Sequence, residues 1–240
     1  MLYAILGDIH GNIHALRAVL DDAERAGAER FLCLGDVVGY GAHPSECISV
    51  VRELGALTVA GNHDWGAIGK VDVRYFNADA RDSIDWTRRQ LSNEECEHLD
   101  NLELVATADD VTIVHSSLFA PDYFDYINTL YDVHLNFKHL STRICFVGHS
   151  HVPVMFLDTE PAAVFLEPEY KVPEDRRLVV NVGSVGQPRD HLNLASYALY
   201  DSDERKVSMR RVDYDCQSAS QDILDAGLPP TNATRILIGR

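Results

Sequence analysis

Phe31-Leu32-Cys33-Leu34-Gly35-Asp36 decides how the chain is read. Four residues that favour a buried strand run into a glycine, and a carboxylate follows at once. An aspartate so placed sits on the lip of a sheet, held by rigid backbone and open to solvent. The same pattern recurs on both sides of it. Residues 2–6 read as a buried strand ending at Gly7-Asp8-Ile9-His10-Gly11-Asn12. Residues 56–60 end at Gly61-Asn62-His63-Asp64, residues 111–114 at His115-Ser116-Ser117, and residues 144–147 at Gly148-His149-Ser150-His151.

Between the first of these strands the spacing turns helical. Ile13, Leu16, Val19, Leu20 and Ala23 share one face of a helix closing near Gly27, and Pro44-Ser45 opens another with Ile48, Val51 and Leu54 inward. Strand and helix in alternation imply a parallel sheet covered by helices. Residues 65–102 lack a clean strand and read as a helical insertion beside the strand ends, with Asn77 and Ser92 as caps of helices running to about Leu91 and Leu99. Residues 122–140 read as helical. From residue 152 the character changes: 152–157, 162–166, 178–182, 196–200 and 207–212 read as strands of an antiparallel meander. The turn after Val182 is Gly183-Ser184-Val185-Gly186-Gln187-Pro188-Arg189. Residues 217–240 read as a helix to about Ala226 and a short tail past Pro229-Pro230. No repeat, low-complexity stretch or linker divides the chain, so one domain over 1–240 is expected.

The 240 residues are 46% hydrophobic and 24% charged, the proportions of a globular chain able to bury one sizeable core. Residues 1–6 are apolar but lack a basic start and meet Gly7-Asp8 at once, which is not a signal peptide, and no transmembrane run occurs. Five cysteines without a CxxC, two of them inside apolar strands, suit reduced thiols; a cytoplasmic setting is expected. The net charge of −16 and the absence of a basic cluster argue against a long nucleic acid as partner.

Five strand ends thus carry metal-ligand chemistry: Asp8 and His10, Asp36, Asn62 with His63, His115, and His149 with His151. In open α/β sheets sites gather outside the carboxyl ends of strands. Taken singly each piece has an ordinary reading, as a helix cap, a turn or a surface histidine. Together, with His63 set aside, they offer two carboxylates, one amide oxygen and four imidazoles. Seven donors exceed one ion's needs and suit two, with Asp36 shared between them. Mixed imidazole and carboxylate ligation suits Mn, Fe, Zn, Co or Ni and disfavours Mg or Ca alone.

In order and rough spacing these motifs resemble those of the calcineurin-like metallophosphoesterases, over about residues 1–200, and the small bacterial members above all. The resemblance implies an α/β fold, a four-layer α/β/β/α sandwich of two mixed β-sheets flanked by helices. It implies that one ion takes Asp8, His10, Asp36 and His151, and the other Asp36, Asn62, His115 and His149. His63 would stay unligated and face the substrate. Two divalent ions bring +4 and the two aspartates return −2, which makes a cationic site inside an anionic protein. A metal-bridging hydroxide would attack phosphorus in line, and His63 would protonate the leaving oxygen or steady the transition-state charge.

The chain departs from the protein serine/threonine phosphatase branch, which has an Asp and an Arg where Gly39 and Tyr40 stand here. His63 then lacks its usual orienting carboxylate and a dianionic monoester lacks a clamp, which favours a small organic phosphodiester. In the small bacterial subgroup the turn before Arg189 recurs, so Arg189 is a candidate substrate contact, with Asn12 and Tyr40 as further candidates. His43 and His191 lie on loops near the presumed site; His14, His98, His134 and His139 read as surface or packing groups. Three other readings stand beside a phosphodiesterase: a phosphomonoesterase or protein phosphatase, a catalytically silent metal or nucleotide sensor on the same fold, and a nuclease, which the charge disfavours. The oligomeric state leaves no trace in the sequence.

Overall fold

A computed structural model describes residues 1–240. Strands β1 (Leu2–Leu6), β2 (Arg30–Cys33) and β3 (Leu57–Thr58) run parallel, connected by helices α1 (Ile13–Arg25) and α2 (Pro44–Glu53). Helices α3 (Asn62–Ala67), α4 (Ala78–Gln90) and α5 (Asn93–Asp100) follow. Then come β4 (Val105–Ala108), β5 (Val111–Val114), α6 (Leu130–His139) and β6 (Ile144–Val147). The chain continues through β7 (Val154–Leu157), β8 (Ala163–Phe165), β9 (Glu169–Lys171), β10 (Leu178–Asn181), β11 (Ala195–Asp201) and β12 (Lys206–Val212). Helices α7 (Cys216–Asp225) and α8 (Pro230–Ile238) end it.

The strands form two mixed six-stranded sheets, in the orders β3-β2-β1-β11-β12-β9 and β4-β5-β6-β10-β7-β8. Alternation along each strand decides what lies between them. Tyr3 and Ile5 of β1 face Ile144 and Phe146 of β6 in the inter-sheet core. Ala4 and Leu6 point the other way, onto α1 and α2 through Leu16, Val19 and Ile48. On the second sheet Cys145 and Val147 face Val133 and Phe137 of α6. Strands buried on both faces explain the unbroken apolar runs in the sequence. The expected four-layer sandwich is therefore what forms. Phe146 is fully buried with its ring 5.8 Å from that of Tyr200, so Phe146→Ala would cost about 3–5 kcal/mol.

The caps expected at Asn77 and Ser92 form, each accepting a backbone N–H from the first turn of α4 and α5; Asn12, read as a candidate substrate contact, caps α1 in the same way. Four readings need correction. The strands after residue 152 are not one meander: β10 pairs in parallel with β6 and antiparallel with β7, and the 182–194 turn then carries the chain to the other sheet, where β11 pairs with β1. Residues 122–140 are helical only from Leu130, where Thr129 and Asp132 build a capping box; residues 121–123 make one 3₁₀ turn. Two short strands, β4 and β9, were not expected; β4 is half exposed and β9 mostly so. The closing tail is a helix, α8, with Pro230 in its first turn and Gly239 left-handed at its end. No helix is long and apolar enough to cross a membrane.

Candidate metal centre

The carboxyl ends of β1, β2 and β3 in one sheet and of β5 and β6 in the other open onto the same place, and their loops are bonded to each other. Asp8 N–H donates to Gly35 O (3.1 Å), His10 N–H to Asp36 O (2.9 Å) and Gly11 N–H to Val37 O (2.9 Å), which extends the β1–β2 pairing beyond the strands. The turn at 183–189 closes on the first loop: Gly186 N–H donates to Asp8 O (2.9 Å) and the Ser184 hydroxyl to the same oxygen (2.8 Å). A Cβ on Gly186 would lie 1.8 Å from Ile9 O, so that approach requires glycine.

These contacts hold an uncommon backbone. Asp8, His10, Asp36, Tyr40, His149 and His151 all have positive φ, between 50° and 67°. Left-handed conformation at a non-glycine residue costs about 1–3 kcal/mol, and here it turns each side chain inward.

The side chains meet in two clusters. In the first, His10 Nε2 lies 3.0 Å from His151 Nε2, 3.9 Å from Asp8 Oδ1 and 3.6 Å from Asp36 Oδ2, and His151 Nε2 is 3.3 Å from Asp8 Oδ1. In the second, His115 Nε2 lies 3.1 Å from Asn62 Oδ1, 3.1 Å from His149 Nδ1 and 3.4 Å from Asp36 Oδ2. The structure thus brings together all seven residues that the sequence singles out as donors, and one oxygen, Asp36 Oδ2, touches both groups. His63 sits beside them; its backbone N–H donates to the other Asp36 oxygen at 2.8 Å.

Whether these groups fit a cation can be read from their hydrogen bonds. His10 Nδ1 donates to Val38 O (3.1 Å), His151 Nδ1 to Gln187 O (2.6 Å) and His115 Nδ1 to Leu34 O (2.8 Å). In the neutral rings of His10 and His151 the proton on Nδ1 leaves Nε2 with a lone pair. These two lone pairs face each other at 3.0 Å. Such arrangements repel unless a positive charge sits between them, and backbone carbonyls on the far ring nitrogen are the usual way a protein aims imidazoles at a metal.

Electrostatics agree. Burial pushes the imidazoles of His10, His149 and His151 below their ordinary pKa. Burial also opposes the charge on Asp36, but the neighbouring His115, His63 and His10 prevail and hold its carboxyl well below the usual range. At His115 burial is outweighed by the Asp36 carboxylate, which draws a proton on and raises the ring to about 9. The field that draws a proton there draws a metal cation equally.

A cavity of about 530 Å³ opens above the two clusters. Asp36, Asn62, His63, His149 and His151 line it, while Asp8, His10 and His115 lie beneath its floor, at most 1% exposed. Of the candidate substrate contacts, Tyr40 and Arg189 line the cavity, with the guanidinium 5.7 Å from the centroid of the Tyr40 ring. Asn12 does not: its Oδ1 caps α1 and its Nδ2 donates to Gly186 O at 2.9 Å, so both ends of the amide serve the fold. His43 and His14 do not line it either; both bond Asp222 Oδ2, at 2.8 and 2.7 Å. His191 also lies outside its lining.

Two contributors have no counterpart in the sequence reading. Asp64, fully buried, accepts N–H bonds from Val37 (2.9 Å), Val38 (3.2 Å) and Gly61 (3.0 Å), tying the Asp36 loop to the Asn62 loop. Its place in the Gly61–Asp64 motif was the available signal. Tyr126 stacks on His149 at 4.1 Å, and no periodicity marks it.

Comparison with known proteins agrees with this geometry. The family model of the calcineurin-like phosphoesterase superfamily domain matches residues 1–205. An uncharacterized protein of Methanocaldococcus jannaschii is 38% identical over 245 residues, covering 100% of this chain and 98% of that protein. The crystal structure of a metallophosphoesterase from Sphaerobacter thermophilus superposes with a TM-score of 0.89 at 37% identity, covering 100% of this chain and 99% of that one. A symmetrical bis(5'-nucleosyl)-tetraphosphatase of Photorhabdus laumondii is 34% identical over 101 residues, 36% of this chain and 37% of that enzyme.

Proposed function

The chain belongs to the calcineurin-like phosphoesterase superfamily, and from that premise we propose that it is a dinuclear metal-dependent phosphodiesterase acting on a small organic phosphate. One observation carries the reading: a single carboxylate oxygen, Asp36 Oδ2, stands within 3.6 Å of His10 Nε2 and 3.4 Å of His115 Nε2, in two otherwise separate ligand clusters. In this reading Asp8, His10, Asp36 and His151 hold one divalent transition-metal ion, and Asp36, Asn62, His115 and His149 the other. Bound there, the ions supply charge neutralisation at the phosphoryl oxygens and a water of lowered pKa.

The chain's own residues do the rest. Burial lowers the His63 imidazole to about 4, so it is neutral near pH 7. Its Nδ1 is buried without a partner, and the neutral ring with its proton on Nε2 would steady the charge on the leaving-group oxygen by donating a hydrogen bond. Arg189, whose Nη2 donates to Gln187 Oε1 at 2.9 Å, keeps a guanidinium in the cavity wall for a phosphoryl oxygen. It is the only Lys or Arg in that lining, which suits the single charge of a diester better than the double charge of a monoester.

A net charge of −16 favours a small phosphate over a long nucleic acid, and five unpaired cysteines suit a reducing cytoplasm. The test is turnover of bis(4-nitrophenyl) phosphate and 4-nitrophenyl phosphate by chelator-treated protein given back Mn²⁺, Ni²⁺ or Zn²⁺. Diester turnover exceeding monoester turnover is expected. No turnover with any metal, alongside calorimetric nucleotide binding without product, would instead indicate a silent sensor.

A further inference from the structure

The wall of the cavity above the metal centre is aromatic on two sides. Residues 71–77 contribute Tyr75 and Phe76, and residues 123–126 contribute Tyr123, Phe124 and Tyr126. The inner rings pack on site histidines: Phe76 lies 5.3 Å from His63, Phe124 edge-on at 5.9 Å from His115, and Tyr126 stacked on His149. The outer two do not pack. Tyr75 is 88% exposed and Tyr123 74% exposed, yet both border this cavity. A lone exposed aromatic is ordinary. Two at the mouth of one cavity are a surface for a planar group, and the backbone on one side is bent to offer it. Ala120 and Phe124, which bracket the Pro121–Tyr123 turn, both have left-handed φ, 49° and 54°.

Size and charge narrow the occupant. About 530 Å³ lies in the range that encloses a drug-sized molecule and far exceeds one phosphoryl group. Arg189 is the single Lys or Arg in the lining, and the acidic Asp72 beside Tyr75 is already paired with Arg74, Nη2 to Oδ2 at 2.5 Å. The cavity therefore carries charge for one phosphate beside the clusters on its floor and none for a run of phosphates.

We propose that the substrate is a phosphodiester with a nucleobase-sized aromatic ring on one side of a single phosphorus, received against Tyr75, Tyr123 and Tyr126, and that polyphosphate esters are poor ligands. This rests on the phosphodiesterase reading of the same cavity. Stacking of a base on an aromatic side chain is worth roughly 5- to 150-fold in affinity.

The experiment measures inhibition of bis(4-nitrophenyl) phosphate turnover in saturating Mn²⁺ by adenosine 5'-monophosphate, glycerol 3-phosphate and diadenosine tetraphosphate. The monophosphate nucleotide is expected to bind at least tenfold tighter than glycerol phosphate, and the tetraphosphate no tighter than the nucleotide despite its second base. In the doubly substituted Tyr75→Ala/Tyr123→Ala protein the ratio of the first two constants should fall to about threefold or less. Both side chains are mostly exposed, so the substitutions do not threaten folding. Equal binding of nucleotide and glycerol phosphate, or an unchanged ratio in the variant, overturns the aromatic subsite while leaving the phosphodiesterase intact. Much tighter binding of the tetraphosphate overturns the limit to one phosphate. Absence of turnover removes the phosphodiesterase reading and this inference with it.

Discussion

Gly39 lies directly against Nδ1 of His63. A Cβ built on Gly39 would come within 2.4 Å of that nitrogen, and φ at Gly39 is +89°. No side chain can therefore stand at residue 39 without moving the ring, and Nδ1, buried, has no hydrogen-bond partner. The ring is held instead by aromatic neighbours: Tyr40 at 4.5 Å, His10 at 4.8 Å and Phe76 at 5.3 Å between centroids. Gly39→Ala should displace His63 while leaving the metal ligands in place. The expected result is a fall in kcat of about 10–100-fold with metal content retained, since small misplacements of a reacting group cost that much. Full kcat in the variant would mean that the ring's position is not critical.

Removal of the imidazole itself separates chemistry from ligation. His63→Gln should keep the metal content of the native protein and lose about 10²–10³ in kcat, the usual worth of one hydrogen-bond donor aimed at charge that develops in the transition state. Steady-state kinetics beside elemental analysis of the same preparation checks both halves; a variant of native activity would dismiss the role given to His63.

Asp64 holds the two central loops together through three backbone N–H groups. Asp64→Ala leaves those donors buried and unpaired, at about 1–3 kcal/mol for each that water does not reach. Urea unfolding at pH 7 should show a loss of several kcal/mol. A loss below about 1 kcal/mol would show that the loops are held by other contacts.

What could be read from the sequence divides along physical lines. Motifs such as Gly35-Asp36 and His149-Ser150-His151 were legible because a buried strand leaves an apolar run, and a polar residue at its end needs a reason. The caps Asn77 and Ser92 were legible because a cap is a local interaction. The destination of β11 was not: Ala195–Asp201 reads as a strand wherever it pairs, and the switch between sheets is decided by tertiary packing. Strand β4 is half exposed, and its pairing with β5 around Asp109-Asp110 gave only a weak turn signal. Helix α8 could have been found. Pro230 opens it, Ala233 and Ile236 are buried three residues apart, and Gly239 ends it, but a Pro-Pro pair marks the stop of one helix as readily as the start of the next. The left-handed backbone at His10, His149 and His151 leaves no mark, since no glycine or asparagine stands there to announce it. The aromatic rim was hidden because Tyr75 and Tyr123 sit in short 3₁₀ turns that have no period.

Acid should weaken the protein when chelator keeps metals away. His10, His63, His149 and His151 have folded-state pKa values below the ordinary 6.5, with burial the main cause. Below pH 6.5 the unfolded chain takes up these protons first. Their contribution is full above that value and is lost as pH falls toward the folded values, about 4 for His63. His115 has the opposite sign: its folded value of about 9 contributes stability below 6.5 that is lost as pH rises through 9. Asp64, raised to about 7 chiefly by burial, has the same sign as His115 and loses its contribution as pH rises toward 7. Four groups against two predict a lower Tm at pH 5 than at pH 7 in excess chelator, by scanning calorimetry. A higher Tm at pH 5 would contradict the burial argument.

The most direct measurement is the number of Mn²⁺ ions bound per chain, by elemental analysis after reconstitution, in the native protein and in Asp8→Asn and Asp36→Asn. Asp36 Oδ2 borders both clusters, whereas Asp8 belongs to one. Two ions in the native chain, about one in Asp8→Asn and fewer than one in Asp36→Asn is the predicted result. A single ion in the native chain, or two ions retained in Asp36→Asn, would contradict a centre built on a shared carboxylate.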